Sequence, residues 1–209
     1  MKLKKFEGNP ILSPTDANDW ESLVTCNPGV IYDDGTFYML YRAAGNDAEH
    51  VIRLGLATSK DGFHFERVSD MPAFGPSEDG PDSGCVEDPR IVKYDTEYYI
   101  TYAYRPYSPG QYWNFGHDEI LLPECGSDAP MALRKNLGNT GLAVTTDFRE
   151  FKRLGRLTSP VLDDRDVILF PEKVQGKYVM LHRPKEYIGG EYKRQVWRGL
   201  SIHLDEVLG

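Results

Sequence analysis

Cys85-Val86-Glu87-Asp88-Pro89-Arg90-Ile91-Val92-Lys93-Tyr94 places two carboxylates, a proline and an arginine just ahead of an apolar run that continues in Tyr98-Tyr99-Ile100-Thr101-Tyr102. Charge at the start of a β-hairpin is unusual, and the same layout recurs twice. Asn27-Pro28-Gly29-Val30-Ile31-Tyr32 precedes Phe37 to Arg42, and Phe170-Pro171-Glu172-Lys173-Val174 precedes Tyr178 to Arg183. Three proline-headed strands, each followed by a turn and an aromatic-rich return strand, form an internal repeat.

Outward from these hairpins each unit continues in the same way. After Asp33-Asp34-Gly35, a turn in which glycine supplies positive φ, the first unit adds Thr36 to Tyr41, Arg53 to Ser59 and Phe63 to Val68 as strands. The second unit has Ile91 to Lys93, Tyr98 to Tyr102, Gly141 to Thr145 and Phe151 to Leu154. Gly55-Leu56-Ala57-Thr58-Ser59-Lys60-Asp61 aligns one to one with Gly141-Leu142-Ala143-Val144-Thr145-Thr146-Asp147. In the third unit Gly176-Lys177-Tyr178-Val179-Met180-Leu181-His182-Arg183 repeats Gly35 to Arg42, and Gly199 to Asp205 takes the third-strand place. Four short antiparallel strands in about 40 residues are the size of one propeller blade. The expectation is a single all-β domain over residues 1–209 that supplies about three propeller blades. Residues 106–139, with Tyr107, Tyr112, Trp113, His117 and Arg134, interrupt the second unit as a long functional or mobile loop. Its aromatics, with Tyr104, are candidates for stacking on a sugar.

Composition narrows the partners. The 209 residues are 40% hydrophobic and 27% charged with 13 Tyr, as in a folded soluble protein, and the net charge of -8 excludes nucleic acid as a general partner. Cys26, Cys85 and Cys125 lack disulfide or zinc spacing, and His64, His117 and His203 lack metal-ligand spacing. No metal or organic cofactor is expected. With no apolar stretch for a leader or a span, the expected location is cytoplasmic, without a membrane partner, and a homo-oligomer stays open.

First strands of propeller blades line the central channel, so equivalent strand starts point at one place. Alignment on the prolines puts Asn27, Asp88 and Phe170 in one ring and Gly29, Arg90 and Glu172 in the next, followed by Lys173. One acid among Arg42, Arg134, Lys173, His182 and Arg183 suits glycosidic cleavage by an anionic nucleophile. The leaving oxygen needs a proton, whereas inorganic phosphate needs positioning and neutralisation rather than a base. A cation beside a carboxyl favours its ionised form, so Arg90 must turn to Glu87, or another group must compensate.

Glu87-Asp88-Pro89-Arg90, Tyr41-Arg42-Ala43, Leu169-Phe170-Pro171-Glu172-Lys173 and Leu181-His182-Arg183-Pro184 together resemble glycoside hydrolase family 130, from Asn9-Pro10-Ile11-Leu12 onward. The resemblance implies a five-bladed β-propeller and inverting phosphorolysis of β-mannosides to mannose 1-phosphate. It implies Asp88 as general acid, Asn27 and Arg42, with Arg90 beside them, as sugar-binding residues, and Arg134, Lys173, His182 and Arg183 as phosphate ligands. Oligosaccharide and inorganic phosphate would be the partners. A β-mannosidase of the same fold and a non-catalytic carbohydrate-binding propeller fragment are the alternatives.

Overall fold

A computed structural model describes residues 2–111, 120, 122–188, 191–194 and 197–201, with side chains as far as Lys185. Among the described residues the strands form three four-stranded antiparallel sheets. The first sheet runs β1 (Val24–Asp33), β2 (Thr36–Ala44), β3 (Arg53–Ser59), β4 (Glu66–Arg67) in spatial order. The second repeats it with β5 (Cys85–Tyr94), β6 (Glu97–Arg105), β7 (Asn139–Thr145) and β8 (Lys152–Arg156). In the third, β10 (Val179–Ile188) pairs with β9 (Asp163–Leu169) on one side, and with β11 (Glu191–Arg194) and β12 (Trp197–Ser201) at its two ends. A single helical turn, α1 (Met131–Arg134), lies in the connection from β6 to β7.

The sheets stack through their apolar faces. Leu40, Leu56, Tyr98, Ile100 and Phe148 join the first to the second, and Tyr99, Leu142, Val144, Val167, Leu169 and Met180 join the second to the third. The strands β1, β5 and β9 come together at the centre and enclose a cavity of about 200 Å³, lined by Gly29, Val30, Arg90, Val92, Ile168 and Leu169 among others. At Gly29 a Cβ would stand 2.6 Å from the Pro89 carbonyl oxygen, so this close approach of β1 to β5 depends on glycine.

The expected hairpins of the first two units are present, including a turn with Asp34 and Gly35 both at positive φ. The inner strands differ from expectation in starting earlier. Glu87-Asp88-Pro89-Arg90 lies inside β5, where register slips by one residue between Glu87 and Arg90; β1 slips in the same way between Cys26 and Gly29. Each slip is a β-bulge whose extra residue, Asn27 or Asp88, has positive φ, 44° and 54°. A third slip, in β9 opposite Leu181 and Arg183, carries Asp166 at φ 65°.

That third bulge corrects the alignment of the repeat. The structural equivalents are Asn27, Asp88 and Asp166, not Asn27, Asp88 and Phe170. The inner strand of the third sheet is Asp163–Leu169, and Phe170-Pro171-Glu172-Lys173 follows it as the turn into β10. Pro171 therefore follows the inner strand of its sheet, whereas Pro28 and Pro89 lie inside theirs, next to the bulge residue. The Arg42 to Arg183 correspondence is retained, since both stand opposite the residue before a bulge. Trp113, Tyr112, His117 and His203 lie outside the described residues. Among the described residues no helix is long and apolar enough to cross a membrane, and Cys26, Cys85 and Cys125 are free.

Candidate active site

Because Asn27 and Asp88 are the extra residues of neighbouring bulges, the central approach of β1 and β5 brings their side chains together. Nδ2 of Asn27 donates to Oδ1 of Asp88 at 2.9 Å, and Nη1 of Arg42, from β2, donates to the same oxygen at 3.2 Å. The Asp88 side chain is 18% exposed, enough for a ligand to reach its other oxygen. Arg42 Nη1 also lies 2.6 Å from Oε2 of Glu87, so Glu87 is paired by Arg42 and not by Arg90 as expected. Burial opposes the charge on Arg42, but Glu87 and Asp88 outweigh it and hold the guanidinium above its usual range. The same field reaches buried His50, which burial and the charge of Arg42 hold below the ordinary imidazole range.

Behind this trio is a basic cluster that sequence reasoning missed. Arg165 of β9 places Nη1 3.7 Å from Glu87 Oε1, and Arg105 of β6 places Nε 3.9 Å from it. Arg165 Nε donates to Asp163 Oδ1 at 3.0 Å, and Lys185 Nζ reaches Asp163 Oδ2 at 3.5 Å. Arg105 Nη1 donates to the carbonyl of Asn136, so the connection around α1 borders the cluster. Local signals existed: Arg105 ends the aromatic strand β6, and Arg165 sits in the Asp-Asp-Arg-Asp run before Val167.

Arg183 and Asp166 are a further contribution of the third sheet. Arg183 Nε donates to Asp166 Oδ2 at 3.0 Å, and Nη2 makes a second contact to the same oxygen. Burial alone would raise the Asp166 carboxyl, but the bonded Arg183 and the charges of Arg165 and Arg90 hold it below the usual carboxylate range. Arg90 lines the central cavity, its Nη1 donating to the Pro89 carbonyl at 2.8 Å.

Three expected phosphate ligands are placed elsewhere. Lys173 is exposed on the turn after β9, its Nζ 4.3 Å over the Tyr178 ring, which packs on Tyr94. Tyr94 ends β5 and donates to the Phe170 carbonyl; six residues of strand separate it from Asp88, about 20 Å at ~3.3 Å per residue. Lys173 is therefore at the opposite rim. Arg134 is exposed at the end of α1, with Nε donating to the Ala129 carbonyl at 2.9 Å. His182 projects to the other side of β10 from Arg183, its Nδ1 2.7 Å from Oδ2 of buried Asp164. Burial raises the Asp164 carboxyl, with His182 partly offsetting it. Among the described residues no group of three or more His, Cys, Asp or Glu side chains is placed to hold a metal ion.

Residues 2–113 match the family model of glycoside hydrolase family 130, described as beta-1,4-mannooligosaccharide phosphorylase. The chain belongs to this family. A 1,2-beta-oligomannan phosphorylase of Thermoanaerobacter sp. (strain X514) is 35% identical over 193 residues, covering 88% of this chain and 54% of the relative. A beta-1,4-mannooligosaccharide phosphorylase of Ruminococcus albus is 24% identical over 192 residues, covering 87% and 46%. Among solved structures, the beta-1,2-mannobiose phosphorylase of Listeria innocua in complex with beta-1,2-mannobiose superposes with a TM-score of 0.62 at 20% identity, covering 91% of this chain and 65% of that one. The family 130 neighbours are five-bladed β-propellers, and the three sheets here are blades of that fold. The chain spans about half the length of the curated relatives it matches.

Proposed function

We propose that this family 130 chain binds a β-mannoside and inorganic phosphate for inverting phosphorolysis, with Asp88 as general acid. The observation that carries the proposal is Asp88, held by Asn27 and Arg42 beside cations drawn from all three sheets. Asn27 and Arg42 would orient the glycone and Asp88. Arg105, Arg165 and Lys185, flanked by Arg183, would neutralise phosphate as its oxygen attacks the anomeric carbon. The bond to the leaving sugar oxygen breaks, Asp88 supplies that oxygen's proton, and inversion at a β-mannoside yields α-mannose 1-phosphate. No base is required, because phosphate is already a nucleophilic anion. Arg134 and Lys173 stand outside this set, and His182 is turned to Asp164.

Hydrolysis is the second reading, favoured by the carboxylate of Asp166 at the bulge equivalent to that of Asp88. An inverting hydrolase needs a general base, with the two carboxyl groups about 6.5–9.5 Å apart. Incubation with β-mannooligosaccharides separates the readings. Phosphorolysis gives mannose 1-phosphate only when phosphate is present, and Asp88→Asn lowers that rate by roughly 10²-fold or more. Free mannose released at the same rate without phosphate selects hydrolysis. Binding of the glycan without turnover by either route leaves a carbohydrate-binding propeller.

A further inference from the structure

Glu87 is nearly buried, its side chain 5% exposed, and a cation from each sheet surrounds it: Arg42 from β2, Arg105 from β6 and Arg165 from β9. The Arg42 contact, at 2.6 Å, is at hydrogen-bonding distance. Those of Arg165 and Arg105, at 3.7 and 3.9 Å, are ion pairs too long for a direct hydrogen bond, so both guanidinium groups retain donors for another acceptor. Arg42 Nε is itself buried without a hydrogen-bond partner. The neighbourhood is short of negative charge, with Arg42, Arg105, Arg165 and Lys185 facing Glu87, Asp88 and Asp163. Lys185 reflects that imbalance: burial and the charge of Arg165 hold its ammonium below the usual lysine range, against the pull of Asp163.

We infer that Glu87 is an internal counter-anion, a positioning residue that gathers Arg42, Arg105 and Arg165 while the phosphate position is empty and competes with inorganic phosphate for them when it arrives. The inference rests on the phosphate position proposed above. Without Glu87 three guanidinium groups would repel one another across the axis. With it they are held, but only Arg42 is held tightly. Glu87 therefore limits how strongly the cluster grips an anion, and a product phosphate ester can leave a site that would otherwise retain it.

The test is calorimetric titration of the full chain with inorganic phosphate at fixed ionic strength, for the parent, Glu87→Gln and Glu87→Asp. Gln keeps the shape and removes the charge. A unit charge a few ångström from the anion in a partly buried site changes affinity by about tenfold, so Glu87→Gln binds phosphate about tenfold tighter than the parent. Glu87→Asp keeps the charge and stays within about threefold of the parent. A residue with only a structural role gives weaker binding in both variants. If the parent binds and Glu87→Gln binds no better, the counter-anion role is overturned while the phosphate position stands. A parent that takes up no phosphate overturns the position and the inference together. If Glu87→Gln lacks a cooperative unfolding transition, circular dichroism with and without phosphate decides. Folding restored by phosphate supports the role, and a variant that stays unfolded in phosphate overturns it.

Discussion

A residue other than glycine at positive φ costs about 1–2 kcal/mol of backbone strain, and Asn27, Asp88 and Asp166 bear it at equivalent places in the three sheets. Asn and Asp tolerate the conformation best, and each bulge turns its extra residue out of the strand alternation toward the axis. Strain is thereby exchanged for convergence of polar groups. Asp166 shows how charge holds such a position, since Arg183 and its neighbours keep the carboxyl low against burial. The sign follows from that depression. The contribution of Asp166 is present above the unfolded carboxyl pKa of about 3.9 and is lost as pH falls through the lower folded value. Thermal midpoints measured from pH 5 downward should fall more steeply in the parent than in Asp166→Asn. Equal acid slopes would remove Asp166 from the groups that set acid stability.

At the scale of the element, the first and second sheets are each fastened by the same polar clasp. Tyr41 donates to Glu21 at 3.0 Å and Arg67 Nε donates to it at 2.8 Å; Tyr102 and Arg153 Nε do the same to Asp82 at 3.0 and 2.8 Å. Glu21 and Asp82 each stand six positions ahead of the bulge residue of their sheet, so the clasp ties the entering chain to the second and fourth strands. Burial, with the adjacent carboxylate, pushes both tyrosines far above the usual phenol range. Gly55 and Gly141 leave room for the rings, since a Cβ would meet Tyr41 Cζ at 2.1 Å and Tyr102 Cζ at 2.5 Å. In the third sheet His182, at the place of the tyrosine, pairs instead with Asp164 of the inner strand β9. Gly141→Ala should cost roughly 1–3 kcal/mol by overpacking, and Tyr102→Phe roughly 1–3 kcal/mol by leaving Asp82 one donor short. Urea unfolding of both variants checks this, and losses below ~0.5 kcal/mol would show that the clasp carries no stability. The one-to-one match of Gly55 with Gly141 was legible in sequence because both are fixed by a local ring contact, and the Asp-Gly turn was legible because φ sets its composition. The inner strand Asp163–Leu169 was not, because its charged first half breaks the apolar pattern and Pro171 imitates Pro28 and Pro89. Asn27, Arg42 and Asp88 were legible as a group through the repeat. Arg105, Arg165 and Lys185 were not, because cations drawn from three strands to surround Glu87 leave no spacing in the chain.

Across the whole molecule, the second sheet packs against both of the others, through Tyr98 and Ile100 toward the first and through Tyr99, Leu142 and Val144 toward the third. Stability is therefore carried by two sheet-to-sheet interfaces and by the axis, where like charges oppose one another. An anion bound at the axis touches cations of different sheets, so its binding free energy enters the unfolding of all three at once rather than that of one hairpin. At a phosphate concentration a hundredfold above its dissociation constant, the linkage is worth about 2.7 kcal/mol, a rise in Tm of about 5–10 °C for a chain of this size. Calorimetry should show a single transition displaced as a whole. Arg165→Met, which removes from the cluster the third sheet's cation nearest Glu87, should abolish most of that displacement, while Lys173→Met, on the opposite rim, should leave it intact. Equal loss in the two variants would place the bound anion somewhere other than beside Glu87 and Asp88.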